Sequence, residues 1–517
     1  MIEEGQEMKF WIWAVFMTFY FAGSLFSQEP DTLWTRIHSI SPNGDIDEGR
    51  CVRQTADGGY IITGSTVPDG MVSHIDVLLL KTDAEGNALW IRTYGGEFVE
   101  DGFAVEPTDE GGYIIAGRAL IFSDTTRVMA SLTETNWPPH HSDAWLLKTN
   151  QNGDTLWTRK YGGEGHDYIT SVYQTVDQGY ILAGAYNADH SYPNYEIDEN
   201  YLPASSRAWL IKTAANGDTL WTRQFRSRSQ ANRVIVTSDG GYLFAGWIFP
   251  ELQSNQSDVY VVKTDASGDT LWTRIIGGSA SEIGLSVCEI ADGYIIAGQV
   301  KPAGLPYDAL LVKTGFTGEV QWVNTFGGTR SDAAFTVEPS RRGILVTGNT
   351  NGNWWIHQGD GWIFEVDGSG NLLWEKVYNV RLSDYAFCGI QNAEGDFLIS
   401  GMVSHGFGGD LWLAKVGSVP SGIDEGEKMA RQFRLFQNFP NPFNPSTTIS
   451  WQLEKESWIN LTLFNLAGQQ VAVLVNERQR PGFYLLKFDS SQLPSGVYFY
   501  RLEAGEYSQT LKMLLMK

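Results

Sequence analysis

The stretch Lys263-Thr264-Asp265-Ala266-Ser267-Gly268-Asp269-Thr270-Leu271-Trp272-Thr273-Arg274 decides the fold, because the chain keeps returning to it. Residues 148–159 and 212–223 are near-copies, and weaker copies end at Trp90, Trp322 and Trp374. A second signature precedes each copy. It is clearest at 57–64 (AspGlyGlyTyrIleIleThrGly) and at 110–117 (GluGlyGlyTyrIleIleAlaGly). A fixed period of this kind settles architecture before any single residue does. Alignment on the glycine that closes the second signature gives seven units, anchored at Gly64, Gly117, Gly184, Gly246, Gly298, Gly348 and Gly401.

Each unit reads as four short strands, a to d, with turn residues between them. In the first unit these are 52–55, 60–64, 76–82 and 88–94. The a–b and c–d links stay short and carry the Gly and Asn that tight turns with positive φ need. The b–c and d–a links vary widely in length. Four-stranded antiparallel units at this period predict an all-β chain with a seven-bladed β-propeller over residues 31–416. Ring closure leaves a trace of its own: residues 31–36 form a lone d-type strand, and the last unit stops after strand c at 411–416. The early strand should therefore complete blade seven and hide two sheet edges. The d-strand tryptophans, Trp34, Trp90, Trp157, Trp221, Trp272, Trp322 and Trp374, are expected between blades as a structural repeat. A ring burying about 200 Å² there contributes roughly 5 kcal/mol gross.

These repeats resemble the quinoprotein-like, AspGly-rich propeller repeats of secreted bacterial proteins. That likeness implies a fold and no particular activity. A linker over 417–432 breaks the pattern. Beyond it come 435–449 (LeuPheGlnAsnPheProAsnProPheAsnProSerThrThrIle), 461–472 (LeuThrLeuPheAsnLeuAlaGlyGlnGlnValAla) and 493–505 (LeuProSerGlyValTyrPheTyrArgLeuGluAlaGly). Alternation in 449–453, 459–465 and 497–503 predicts a small Ig-like antiparallel sandwich over 433–517. The segment closely resembles the C-terminal sorting domain of the type IX (Por) secretion system of Gram-negative bacteria. The resemblance implies the type IX machinery as a partner through 433–517 and passage across the outer membrane. It also implies removal of the domain in or near the linker and attachment to surface polysaccharide.

At the other end, Met8-Lys9 and the apolar run 10–26 lead through Ala22, Gly23 and Ser24 to polar Gln28-Glu29-Pro30. Residues 1–27 thus read as a Sec-type signal peptide cut near Ser27, with a retained anchor helix as the alternative. A secreted or cell-surface protein is expected. With 60 acidic against 37 basic residues, a net charge of −23 argues against nucleic acid or anionic membranes as partners. Three cysteines build no disulfide framework. Cys51 and Cys388 fall at equivalent positions of the first and last units, which a ring makes neighbours, so a bridge there is open. Small buried core residues are the preferred reading.

In a propeller the d–a and b–c links share one face, and here that face holds the length variation, all eight histidines and many aromatics. Loops on a rigid scaffold are where function usually sits. The candidate ligand-binding residues are Trp137, His140, His141, Tyr192, Tyr195, Trp247, Trp354 and Trp355, for a glycan or protein ligand. Strand c mostly opens with Asp (Asp76, Asp143, Asp258, Asp308, Asp360, Asp410; Arg207 is the exception). Glu48, Asp101, Asp167, Glu282, Asp332 and Asp384 precede strand a. These acids are expected to fix loops by accepting backbone N–H groups, with attraction of cations as the second reading. His140-His141 lacks the two-face geometry of a zinc helix, so no metal site or cofactor is expected, though a divalent cation is admitted.

No catalytic residue stands out. Sialidase boxes, nucleophile elbows, P-loops and dinucleotide fingerprints are missing, as is the adjacent-cysteine pair of some quinoprotein dehydrogenases. A monomeric, non-catalytic recognition module is the expectation. The alternative is a polysaccharide-active hydrolase or lyase working on the loop-rich face.

Overall fold

The computed structural model describes residues 30–41, 45–68, 74–96, 98–122, 140–188, 205–250, 256–302, 304–353, 358–405, 408–418, 434–435, 446–453, 457–466, 468–479, 482–490, 493–505 and 507–515. The expected signal segment lies outside them. The chain divides into two units, Met1–Val419 and Pro420–Lys517.

In the first unit seven four-stranded antiparallel sheets follow one another in the order a-b-c-d. Blades 1 to 6 span 47–94, 100–161, 166–227, 229–276, 281–326 and 331–378. Blade 7 takes 383–416 and closes with the strand Thr32–His38, whose pairing runs from Thr32↔Val416 to His38↔Leu411. Gly417 N–H extends the ladder by donating to Asp31 O at 2.8 Å. The a strands of all seven neighbouring pairs touch, including blade 7 with blade 1, so the ring is closed. Strands b and c lie mid-sheet with both faces covered. Their residues are buried end to end in blade 1 (Tyr60–Thr66 and Asp76–Thr82), which is why they read as unbroken apolar runs.

The two sequence signatures turn out to be halves of one device. Lys263, buried at the end of strand c, points its Nζ at Asp239 of the a–b turn, 2.9 Å away. Lys81–Asp57, Lys212–Asp177 and Lys313–Asp292 repeat the pair at 2.7–2.9 Å. Asp57, Asp177 and Asp239 also accept from a threonine two residues before and from the backbone N–H of a glycine two residues after, as at Thr237 Oγ1 and Gly241 N.

The d-strand tryptophan works between blades. Trp221 of blade 3 lies on Gly268 in the c–d turn of blade 4, where an added Cβ would sit 2.7 Å from the ring and φ is +81°. Trp34, Trp90, Trp157, Trp272 and Trp322 lie in the same way on Gly86, Gly153, Gly217, Gly318 and Gly370. Each of Trp34, Trp90, Trp157, Trp221 and Trp272 also faces a strand-b tyrosine of the next blade, with centroids 5.9–6.4 Å apart. An arginine two residues on caps the ring at 5.3–5.6 Å in those five copies. One expectation needs correction here. Strand d is the outer strand, so six of the seven rings are only half-buried; Trp374 alone is fully covered, with Nε1 donating to Glu365 Oε2 at 2.7 Å.

The second unit is a two-sheet β-sandwich. Arg434–Leu435, Ser446–Leu453 and Gly482–Asp489 form one sheet, and Gln470–Gln479, Ser457–Asn465, Gly496–Ala504 and Tyr507–Leu515 form the other. Ile449, Trp451 and Leu453 from the first meet Leu461, Leu463, Tyr500 and Leu502 from the second in a single core.

Candidate binding face

Every strand a breaks register immediately after the residue that pairs with the anchor glycine of strand b, and those of blades 3 and 6 break once more near their start. The extra residue of each shared bulge leaves the ladder. Those seven residues are Arg50, Phe103, Thr170, Asn232, Leu285, Phe335 and Phe387. Because strand a is innermost, they come together around the axis near the link-rich rim. The Arg50 guanidinium sits over the rings of Phe103 and Phe387, at 5.4 and 5.8 Å, and pairs with Glu48. Phe387 contacts Phe335 at 5.8 Å and stacks on Tyr385 at 5.5 Å with an interplanar angle of 7°.

Further along strand a the axis carries a buried polar network. Arg53 Nε lies 2.7 Å from Glu106, and Arg233 Nη2 lies 2.8 Å from Glu338 and 2.6 Å from the Tyr173 hydroxyl. Burial drives the Glu106 carboxyl up to about 7, against the pull of Arg53. Charges this deep are tolerated only with partners in place. The axial mouth is therefore floored by paired charge.

Around the mouth the repeated acids hold loops. Asp167 accepts from the backbone N–H of Gly163 and Asn187 at 2.8 and 2.7 Å, Asp332 from Gly328 and Asn351, and Asp384 from Val380 and Arg381. In blades 1 and 2 the neighbours of the expected residues take this part. Asp47 accepts from Ile40 and Ser41, and Glu100 accepts from Gly96, while Glu48 pairs with Arg50 and Asp101 with Arg118.

The strand-c aspartates stand beside these acids. A Cβ on Gly162 would meet Asp167 Oδ2 at 2.5 Å and Asp143 Oδ1 at 3.0 Å, and Gly327 sits likewise between Asp332 and Asp308. The Gly-Gly pair after strand d thus makes room for two carboxylates. Burial raises Asp167 to about 6, with Asp143 adding to the push against two backbone bonds. Glu282 rises to about 7 through burial and then the charge of Asp258. Arg207 replaces the acid in blade 3 and donates to Phe225 O. Among the described residues no group of three or more His, Cys, Asp or Glu is placed to hold a metal ion.

The sequence-predicted ligand residues fare unevenly. Trp137, Tyr192, Tyr195, Trp354 and Trp355 lie outside the described residues. His140 and His141 are not in a link at all. They open strand c of blade 2, His140–Thr149, because the b–c hairpin of that blade runs on to Phe122↔His140. His141 Nε2 stands 3.8 Å from Asp143. Trp247 is 1% exposed; its ring meets Phe249 edge-on and shares a cluster with Ile283, Leu285 and Phe335. It braces the axial residues from behind. The bulge residues escaped notice because they share a position while only three of the seven, all Phe, share a residue type. Their signal is the letter after the small residue in strand a, as in Gly49-Arg50-Cys51, Gly102-Phe103-Ala104 and Ala386-Phe387-Cys388.

No curated protein matches the chain. Solved structures similar to it include PorZ, an essential bacterial surface component of the type IX secretion system of Porphyromonas gingivalis. PorZ is 10% identical with a TM-score of 0.41, over 92% of this chain and 60% of that one. The polysaccharide lyase Uly1 is 11% identical with a TM-score of 0.44, over 73% and 90%. A fungal alcohol oxidase in complex with copper is 10% identical with a TM-score of 0.41, over 94% and 100%. This chain spans 60% of PorZ's length. Residues 437–516 match the family of the secretion system C-terminal sorting domain. The chain therefore ends in a type IX sorting domain and is exported by that route to the cell surface or beyond.

Proposed function

We propose that the propeller is a non-catalytic recognition module, delivered outside the cell by its sorting domain and binding on the link-rich rim. The observation that supports this best is the axial mouth. Arg50 lies between Phe103 and Phe387, with Phe335 beside them, and the repeated acids nearby are spent on loop backbone. Aromatic faces around a guanidinium suit the apolar faces of sugar rings or the rings of a peptide. A second reading, a hydrolase or lyase acting on polysaccharide, draws on the Asp258–Glu282 pair. Glu282 is pushed up to about 7 by burial and then by the charge of Asp258, and burial also raises Asp258 itself. Glu282 could serve as the acid beside that second carboxylate, and glycosidic chemistry uses two carboxyl groups in such divided roles. The recurrence of that pairing at Asp143–Asp167 and Asp308–Asp332 fits a structural repeat better.

Glycan and peptide arrays probed with the full secreted chain test the proposal, followed by a turnover assay on each hit. Binding without product, weakened about tenfold or more by Phe387→Ala, is the expected result. Product release abolished by Glu282→Gln would replace the first reading with the second.

A further inference from the structure

We propose that Cys51 and Cys388 become a disulfide in the exported protein, a covalent clasp between the innermost strands of blades 1 and 7. Both are free, buried thiols in the structure. They occupy one repeat position, the residue directly after the strand-a bulge, held in the other blades by Ala104, Ser171, Arg233, Ser286 and Thr336. In blades 3, 5 and 6 the hydroxyl there accepts a hydrogen bond from strand a of the next blade. The pairs are Ser171 with Val234 N at 3.2 Å, Ser286 with Val337 N at 3.2 Å and Thr336 with Gly389 N at 3.3 Å. In those three blades the position faces the following blade.

Sulfur appears there in two blades only, and those two are neighbours solely because the ring closes. Cys388 Sγ approaches the carbonyl of Val52, the residue beside Cys51, at 3.9 Å, and Cys51 Sγ approaches Val105 O of blade 2 at 3.8 Å. Arg53 Nη1 lies 3.8 Å from Cys388 Sγ. The neighbouring Cys388 thiol, with Arg53 and Arg233 nearby, favours the thiolate of Cys51 against burial. A thiolate is the species that attacks a disulfide. Cys288 lies two residues past the shared position in blade 5, packed with Ile295, Ala334 and Val337, and serves as an internal control.

The chemistry needs a disulfide donor, which in an exporting cell is a protein of the thiol–disulfide oxidoreductase class. The Cys51 thiolate attacks the donor disulfide to give a mixed disulfide and release one donor thiolate. Cys388 then displaces the second donor sulfur as its own proton leaves. The donor departs as a dithiol carrying both electrons. Because the thiols are buried in the finished ring, exchange falls during folding, while the seam is still open. A cross-link between residues so far apart in sequence restricts the unfolded chain strongly.

The test compares full chain recovered from the medium of an exporting host with the same chain from a reducing cytoplasm. Each is alkylated under denaturing conditions and mapped without reduction. A 51–388 linked peptide in the exported protein alone, with Cys288 alkylated in both, is the expected result. Dithiothreitol should then lower the unfolding temperature of the exported wild type and leave that of the Cys51→Ser/Cys388→Ser variant unmoved. Three alkylated cysteines in the exported protein would overturn the proposal, as would a bridge that includes Cys288. The peptide map decides the matter even where the double variant fails to fold.

Discussion

The two rims of the propeller come from the same seven repeats and have diverged to different degrees. On the turn rim, Lys–Asp pairs and tryptophan-on-glycine contacts recur with distances that vary by a few tenths of an ångström. On the link rim the acids change position by one residue, as at Asp47 and Glu100. One blade inverts the charge with Arg207, and the bulge residues run from Thr170 to Phe387. The difference follows from what each rim must do. A three-residue turn against a neighbour's indole leaves a single solution, whereas a link held by a carboxylate keeps its anchor while its length drifts. The invariant contacts are concentrated on one rim, which leaves the other free to vary.

Substitution on the turn rim should therefore be costly, and more so the deeper the group lies. Trp374→Ala removes a fully buried ring and one of the two side-chain hydrogen bonds that Glu365 accepts, so denaturant unfolding should show a loss of about 3–5 kcal/mol. Gly268→Ala adds a Cβ at positive φ against the Trp221 ring, and about 2–4 kcal/mol is expected by the same measurement. Trp272→Ala, at a half-buried site, should cost about 1–3 kcal/mol. A Trp272 loss equal to that of Trp374 would erase the distinction drawn between outer and covered rings.

The link rim carries a pH dependence of its own. Asp167 at about 6 and Glu282 at about 7 hold their protons more tightly folded than unfolded. Their contribution is complete below the ordinary carboxylate range and is lost as pH rises through 6–7. The turn-rim aspartates Asp57, Asp177 and Asp239 lie at about 2. Burial is outweighed there by hydrogen bonds from threonine, lysine and glycine, so their contribution is lost only in strong acid. The unfolding temperature should therefore fall between pH 5 and pH 8 in a calorimetric series, with a shallower slope for Glu282→Gln. A rising profile would contradict the carboxylate pairing. The smallest effect belongs to Arg207→Asp, which restores the residue of the other blades and should move stability by less than about 0.5 kcal/mol.

Much of this architecture was legible before any coordinates. Seven anchor glycines counted the blades, and the orphan strand at 31–36 announced the closure because a missing strand at one end matched a spare one at the other. The link between Lys263 and Asp239 was not legible. Each belongs to a signature of its own, and only the hairpin register brings them together. Tryptophan burial was overestimated since a recurring aromatic says nothing about which strand faces water. Trp247 looked like a loop aromatic because it follows the anchor glycine, but Ile283 and Leu285 of the next blade cover it. The axial mouth stayed hidden for a related reason. A bulge interrupts the two-residue period that sequence patterns rely on, and the three phenylalanines at that position alternate with Arg50, Thr170, Asn232 and Leu285 in a way that betrays no common place.

Closure of the ring by its first strand carries the most weight, and native-state hydrogen exchange of the amides in Thr32–His38 tests it most directly. The account predicts protection matching that of strand c in blade 7, with which this segment pairs. Exchange at the rate of an unstructured peptide, with blade 7 otherwise protected, would contradict it.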